Sequence, residues 1–447
     1  MTATANIEED SVKSFHWRII FTAGMGFFTD AYDLFIIGVV TTLLKPIWHL
    51  STWQLATLNG ASLAAAACGA IFFGTLSDKL GRKKMYGVEV AVLFCGAILS
   101  SLTPSFWYLF LTRIIVGFGI GGDYPSSAVI ASEHAHRKHR GFLVLLVFAM
   151  QALGLIVGPL FASLLIYLHI PHETAWRILL AAGAIPAASV FYLRRRIQET
   201  PHYLLTKSIP REVSRVIADL TDTSQRYEQL SFLKQSFFSK RWMMCLLGTS
   251  LSWFLLDVAF YGNSVSAVLL LKALNPSGDL LFSTLIPAVI FLLCALPGYI
   301  LAAYFIDHLG RKFLQSLGFV MMGTAYLIIA MLHNPTEHIG LFLAIFGLSF
   351  FFVNFGPNTT TFLIPSEIFP ANLRAKGHGI SAAVGKLGAF VGVFLLPPIL
   401  ATHGLSLIFH LLAIVSFTGV LVTQLIPEMA GVGLENSEIL NVNPEPP

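Results

Sequence analysis

The chain has 447 residues, of which 55% are hydrophobic and only 12% charged, with a net charge of +4. A soluble protein carries about 25% charged residues on average. A water-facing shell over the whole chain is therefore excluded, and lipid is the expected solvent.

A spanning helix needs about 20 mostly apolar residues. In chain order such stretches are predicted at residues 17–43, 54–77, 84–103, 106–131, 140–168 and 174–193, and then at 242–272, 281–304, 313–333, 339–365, 376–402 and 405–426. Twelve spans result, divided six and six by the one long polar stretch, residues 194–241, which carries ten Lys or Arg. The expected organisation is an all-α membrane protein: residues 1–193 as a first six-helix bundle, 194–241 as a cytoplasmic linker, and 242–447 as a second bundle with a short cytoplasmic tail. The opening segment holds Glu8, Glu9 and Asp10 and no basic start before a short apolar core, so the first span is expected to be retained. Cys68, Cys95, Cys245 and Cys294 lie within spans without CxxC spacing and are read as small apolar fillers.

Orientation follows from the basic residues, which gather in short cytoplasmic loops. With both termini inside, 23 of the 28 Lys and Arg fall on the cytoplasmic side, among them Lys79 to Lys84, Arg137 to Arg140, Arg194 to Arg241, Arg311, Lys312, Arg374 and Lys376. Charges scattered through alternate loops do not make a nucleic-acid surface.

The two halves repeat each other. Asp78-Lys-Leu-Gly81-Arg82-Lys83 after the second span returns as Asp307-His-Leu-Gly310-Arg311-Lys312 after the eighth, an offset of 229. Glu133, seven residues before Arg140, returns as Glu367, seven before Arg374, an offset of 234. Acids and bases paired at the inner helix ends, where water is thin, are worth more than on an open surface. Asp78, Arg82, Glu133, Arg140, Asp307, Arg311, Glu367 and Arg374 are accordingly expected to form a cytoplasmic gate.

Charges inside the spans are costly and normally face a cavity. Asp30 and Asp33 interrupt the first span, Glu89 the third, Arg113 and Asp123 the fourth, Asp257 the seventh and Lys386 the eleventh. Trp253, Asp257 and Tyr261, spaced four apart, share one helix face, and Asp30 and Asp33 do so at three apart. Asp30 and Asp257 lie 227 apart and Tyr124 and Asn358 lie 234 apart, so the repeat relates them as well.

The loop motif at Gly74 to Lys84, its copy at Asp307 and the Arg113-x-x-x-Gly117-x-Gly119 pattern resemble the major facilitator superfamily. Gly24 to Asp33, Gly121-Gly-Asp123-Tyr124-Pro125, Asn354-Phe-Gly-Pro-Asn358 and His378 to Lys386 resemble, more narrowly, the inorganic phosphate:proton symporters, with Ser126 standing where that family usually has leucine. The resemblance implies two six-helix bundles rocking about a midplane site. It also implies phosphate ligands at Tyr124, Gln151, Trp253, Asp257, Tyr261, Asn358 and Lys386, and proton coupling at Asp30, Asp33, Asp123, Glu89 and Arg113. The chemistry fits: neutral donors and one ammonium for phosphate oxygens, and a carboxylate at Asp257 to accept the proton that phosphate carries and sulfate lacks. A carboxylate in a low-dielectric cavity binds its proton more tightly, and an arriving anion tightens it further, so proton and anion favour one another. Arg113 is expected to modulate Asp123, ten residues on.

The expectation is proton-coupled import of inorganic phosphate by a monomer in the plasma membrane, or in the inner membrane of a bacterium. The alternatives are symport of another small organic anion or sugar, and a phosphate-sensing receptor. No enzyme, cofactor, metal or nucleic-acid partner is expected. His134, His136 and His139 are read as a solvated loop, Asn358-Thr-Thr as a sequon hidden in a span, and Gly121-Gly122 as no nucleotide loop.

Overall fold

The computed structural model describes residues 14–135, 139–196, 199–200, 239–275, 278–332, 334–370 and 373–432. Most of the expected linker, the C-terminal tail, and His136 and Lys138 of the histidine-rich loop lie outside the described residues.

The described residues are helical almost throughout. Eleven helical stretches among them are long and apolar enough to cross a bilayer: Ile20–Trp48, Thr52–Leu80, Arg82–Ser101, Phe106–Glu133, Arg140–Tyr167, His172–Arg194, Lys240–Val265, Leu280–Leu309, Arg311–Met331, Ile339–Ile368 and Arg374–Thr423. The last has 50 residues and breaks at Gly404, whose φ of 75° and ψ of −170° are not helical. A straight helix of that length would run about 75 Å, against about 30 Å of hydrocarbon. The break returns the chain, and residues 374–403 and 405–423 are the eleventh and twelfth spans.

Several spans are interrupted where the sequence supplies a reason. The tenth divides into Ile339–Phe355 and Pro357–Ile368 around Gly356-Pro357, since proline has no amide hydrogen to continue the ladder. The eighth contains a π-turn at Phe291–Ala295, just before Pro297. The two Asp-x-x-Gly-Arg turns have the same geometry: Gly81 at φ 105° closes the second span and Gly310 at φ 88° closes the eighth. A side chain at either position would be strained, so glycine lets each following span start at once, at Arg82 and Arg311.

Burial is inverted relative to a water-soluble protein. Trp107, Leu293, Ile414 and Leu421 are more than 60% exposed, while Asp30, Arg113, Arg194, Glu367 and Arg374 are wholly buried. Apolar surface outside and ionised groups inside is the pattern lipid demands. The two halves meet through the second span packed on the eleventh and the fifth packed on the eighth. Close approach is made by small residues, such as Gly74 against Ala375 and Gly379. The polar side chains lie between these helices.

Candidate functional site

Side chains from six spans meet at the centre. Asp257 and Tyr261 on the seventh span face Lys386 on the eleventh, whose Nζ donates to Asp257 Oδ2 at 3.0 Å and to Tyr261 Oη at 2.9 Å. The same ammonium stands 4.2 Å from the ring centres of both Tyr124 and Tyr261. The hydroxyls of those two tyrosines, one from each half, are 2.9 Å apart. Trp253, one turn before Asp257, packs its ring against Tyr124 and Phe362.

A second set of bonds continues this group toward the fifth, eighth and tenth spans. Tyr299 donates to Gln151 Oε1 at 2.5 Å and accepts from Asn358 Nδ2 at 2.6 Å. Asn358 also donates to Asn354 Oδ1 at 2.7 Å, and Gln151 reaches Tyr261 at 3.5 Å. All seven residues expected as anion ligands are thus brought together, each at most 3% exposed. Their donors are turned on one another, while Asp257 Oδ1 has no hydrogen-bond partner among the described residues. The arrangement offers one cation, one carboxylate with a free acceptor, three hydroxyls and two amides to a small polar ion.

The acids of the first half fall into two groups. Asp33 lies 3.9 Å from Arg113 Nη1, and Arg113 Nη2 donates to the Asp33 carbonyl at 2.9 Å. The expected partnership of Arg113 with Asp123 is therefore corrected. Ten residues of helix separate them by about 15 Å, and Arg113 turns instead to the first span. Asp123 is held by Arg194, whose guanidinium reaches its two oxygens at 2.9 and 3.0 Å. Arg194 also meets Glu89 at 3.3 Å. Ser126 donates to Glu89 at 3.1 Å and Ser127 to Asp123 at 2.6 Å, so the serine at 126 supports the acid cluster. Asp30 shares a small cavity with Glu89, Asp123 and Arg194, and neither of its oxygens has a hydrogen-bond partner among the described residues.

The expectation that places Arg194 in the linker is corrected as well. The sixth-span helix runs on to Arg196, and Arg194 is wholly buried on it. Its neighbours Arg195 and Arg196 made it look like one of a run of topology-setting arginines, and nothing in its spacing separates it from them.

The end that carries the Asp-x-x-Gly-Arg turns is tied across the two halves. Glu133 accepts from Arg374 of the other half at 2.8 Å and from Arg82 of its own at 3.4 Å. Arg82 also meets Asp78 at 3.2 Å, while Arg311 meets Asp307 at 2.8 Å and Glu367 at 2.9 Å. Asp78 and Asp307 each cross to the opposite half. Asp78 accepts from the Lys376 amide at 2.7 Å, and Asp307 from the Gly141 and Phe142 amides at 3.2 and 2.9 Å. Each carboxylate thereby caps the start of a helix belonging to the other bundle, where open amides and the helix dipole favour negative charge. Arg140 donates to the Val432 carbonyl at 3.1 Å.

Two further acids of this network escape a reading based on pairs of charges. Glu199 accepts from the Arg82 and Lys83 amides at 3.1 and 3.3 Å, and Glu428 from the Arg311 and Lys312 amides at 3.0 and 2.9 Å. They are 229 apart, the offset of the Asp-x-x-Gly-Arg repeat itself, and that coincidence was the available signal. Burial pushes the Glu199 carboxyl above the ordinary range, opposed by the amides it accepts from and by Arg82.

Residues 19–440 match the family described as sugar (and other) transporters. The chain belongs to that family, within the major facilitator superfamily. Inorganic phosphate transporter 1-4 of Arabidopsis thaliana is 38% identical, over 94% of this chain and 92% of its own. Inorganic phosphate transporter 1-6 of Oryza sativa subsp. japonica is also 38% identical, over 94% and 92%. Among solved structures, the proton:xylose symporter XylE bound to 6-bromo-6-deoxy-D-glucose superposes with a TM-score of 0.80 at 19% identity, covering 96% of this chain and 99% of that one. The family is one of transporters, and the all-helical, multi-pass architecture agrees with its fold.

Proposed function

We propose that this protein is a secondary active transporter that imports inorganic phosphate together with protons by alternating access. The observation that carries the reading is the central cluster, where Lys386, Asp257 and Tyr261 of one half meet Tyr124 and Gln151 of the other. A phosphate ion placed there would take hydrogen bonds from Lys386, the tyrosines, Gln151 and Asn358, and would give its own proton to the free oxygen of Asp257. That last bond is what sulfate lacks. The names of the relatives in A. thaliana and O. sativa support phosphate as the cargo.

The bonds to phosphate replace bonds already present, so phosphate arrival loosens Lys386 from Asp257 and the Tyr124–Tyr261 contact that joins the halves. A site that is rebuilt on binding is one way for cargo to bias the rocking of two bundles. Protons enter through Asp30, Asp33, Asp123 and Glu89, with Arg113 opposite Asp33. Buried carboxyls without enough cations beside them are the natural carriers in such a cavity. The end tied by Glu133, Arg374, Asp78 and Asp307 is the cytoplasmic gate. Both termini are cytoplasmic, the membrane is the plasma membrane, and the working unit is a monomer.

Purified protein in proteoliposomes tests this directly. Under an imposed inward proton gradient, labelled phosphate should accumulate, and a protonophore should abolish the accumulation. Phosphate that binds without flux would instead point to a sensing receptor. Accumulation of a sugar or organic acid in its place would move the cargo and leave the mechanism.

A further inference from the structure

Arg194 is wholly buried and touches two acids, yet neither the anion site nor the gate uses it. Its surroundings are fully specified. From the first span Asp30 faces it, with Asp33 one turn further. Glu89 comes from the third span and Asp123 from the fourth, and the Tyr86 ring lies 4.3 Å beneath the guanidinium. Lys386 acts on Asp30 from the other half. Asp30, Glu89, Asp123 and Arg194 line one cavity of about 10 Å³, on the order of the space that one water needs.

The charges around this cavity do not balance. Three carboxyls surround one guanidinium, so neutrality requires protons on two of the three. The geometry is also unequal. Asp123 receives two bonds from the fork and a third from Ser127, and Glu89 receives one long contact and Ser126. Asp30 receives none, and both its oxygens are unpartnered among the described residues. A guanidinium with two bonds to one carboxylate fixes that carboxylate in its ionised form.

We infer that Arg194 is a positioning residue for proton coupling: it holds Asp123 ionised as a fixed counter-charge, so that the transported proton resides on Asp30 and passes through the shared cavity to Glu89. With Asp123 ionised, Asp30 and Glu89 each carry one of the two protons: Glu89 first releases its own to water on the cytoplasmic side, then the O–H bond on Asp30 breaks as one forms on the Glu89 carboxylate left behind, and Arg194 keeps Asp123 from intercepting the proton. The inference rests on the proton-coupled reading above and narrows it: Asp123 leaves the set of proton carriers and becomes their counter-charge, and Asp30 and Glu89 act in that order. Gly26 is part of the device, because a Cβ there would collide with both Arg194 Nη2 and Asp123 Oδ2. Glycine lets the first span lie directly against the pair.

The test compares two transport modes in proteoliposomes. Exchange of labelled for unlabelled phosphate at equal pH needs no net proton movement, whereas accumulation under an inward proton gradient does. Arg194→Gln should lower accumulation by about tenfold or more while exchange falls less than about threefold, and Arg194→Lys should recover most of the accumulation because it keeps the charge. Infrared difference spectra of the same samples should show an added protonated-carboxyl band in Arg194→Gln at neutral pH, and adding Asp123→Asn should remove it. Equal loss of both transport modes, or no added band, would mean a structural role and would overturn the assignment. If Arg194→Gln does not insert, Gly26→Ala disturbs the same pair with its charges kept, and full accumulation in that variant would overturn it too. Failure of the unaltered protein to accumulate phosphate would defeat the underlying function instead, which separates the two outcomes.

Discussion

Replacing Asp257 by asparagine tests the anion site at its most discriminating atom. In the structure Oδ2 is engaged by Lys386 at 3.0 Å, and Oδ1 is the buried acceptor without a partner. A phosphate hydroxyl donating to Oδ1 would make a charge-assisted hydrogen bond, worth about 1.5–3 kcal/mol net, or roughly 10- to 150-fold in affinity. For sulfate the sign reverses. Its oxygens carry no proton, so the carboxylate only repels it, and two unit charges about 4 Å apart at an effective dielectric of 20 differ by about 4 kcal/mol. Lys386 already offsets most of that repulsion, which leaves about a quarter to a half of it to be relieved. Asparagine removes the repulsion, supplies an amide donor and frees Lys386 for the anion. Phosphate affinity should therefore fall by about tenfold or more while sulfate affinity rises by about fivefold or more, so that the phosphate-to-sulfate preference drops by about 50-fold or more. The assay is competition of unlabelled sulfate against labelled phosphate exchange in proteoliposomes, with direct labelled-sulfate uptake as its complement. A preference unchanged within threefold would refute the role given to Asp257, even if total transport declined.

Asp30→Asn should stop gradient-driven accumulation while leaving phosphate binding measurable by calorimetry within about threefold, since Asp30 has no bond to the central cluster. Loss of binding would show that it shapes the site rather than couples it. Glu133→Gln removes the carboxylate shared by Arg82 and Arg374 and leaves Arg374 buried without its partner. Breaking a buried pair costs about 3–5 kcal/mol, so the closed arrangement of that end should lose at least about 100-fold in population. Spin labels on the two halves at this end should report longer distances, and an unchanged distribution would reject the gate. Glu199 gives a pH signature. Because burial raises its carboxyl above the ordinary value, its contribution to stability is greatest below the unfolded value of about 4.3 and is lost as pH rises through the raised folded value. Glu199→Gln cannot ionise, so its thermal midpoint relative to the wild type should climb as pH rises from about 4 through the raised folded value. A flat or falling difference would count against the buried-carboxyl argument.

How much of this was readable beforehand depends on what each residue costs. Asp30, Asp33, Asp123, Asp257 and Lys386 stood out because an ionisable group in a 20-residue apolar run is expensive, and all five are buried in the interior rather than against lipid. The gate residues stood out because the halves repeat. Arg194 was hidden by its neighbours, since three consecutive arginines at a helix end satisfy the topology rule whether or not the first one turns inward. Glu199 and Glu428 were hidden because their partners are backbone amides, which leave no trace in side-chain composition. Tyr299 lies among apolar residues of the eighth span, where nothing in the sequence singles it out; its two short bonds to Gln151 and Asn358 are visible only once three helices are assembled.

The way these bonds are distributed bears on how tightly cargo can be held. Nearly every donor in the central cluster already has an acceptor within the protein, so an arriving anion gains only the difference between its bonds and those it replaces. A hydrogen bond exchanged for another is worth about 0.5–1.5 kcal/mol net rather than its full strength. That exchange limits affinity, but it frees the groups that cargo displaces: Tyr124 from Tyr261, and Lys386 from Asp257. One of those released contacts spans the two halves, and the opposite end is held by carboxylates that also span them, Glu133, Asp78 and Asp307. Cargo that binds strongly would deepen one conformation and stay in it, whereas cargo that substitutes for internal bonds leaves the two arrangements close in energy. A carrier must release at one face what it gathered at the other, and a site whose ligands satisfy one another when empty meets that requirement without any separate mechanism for release.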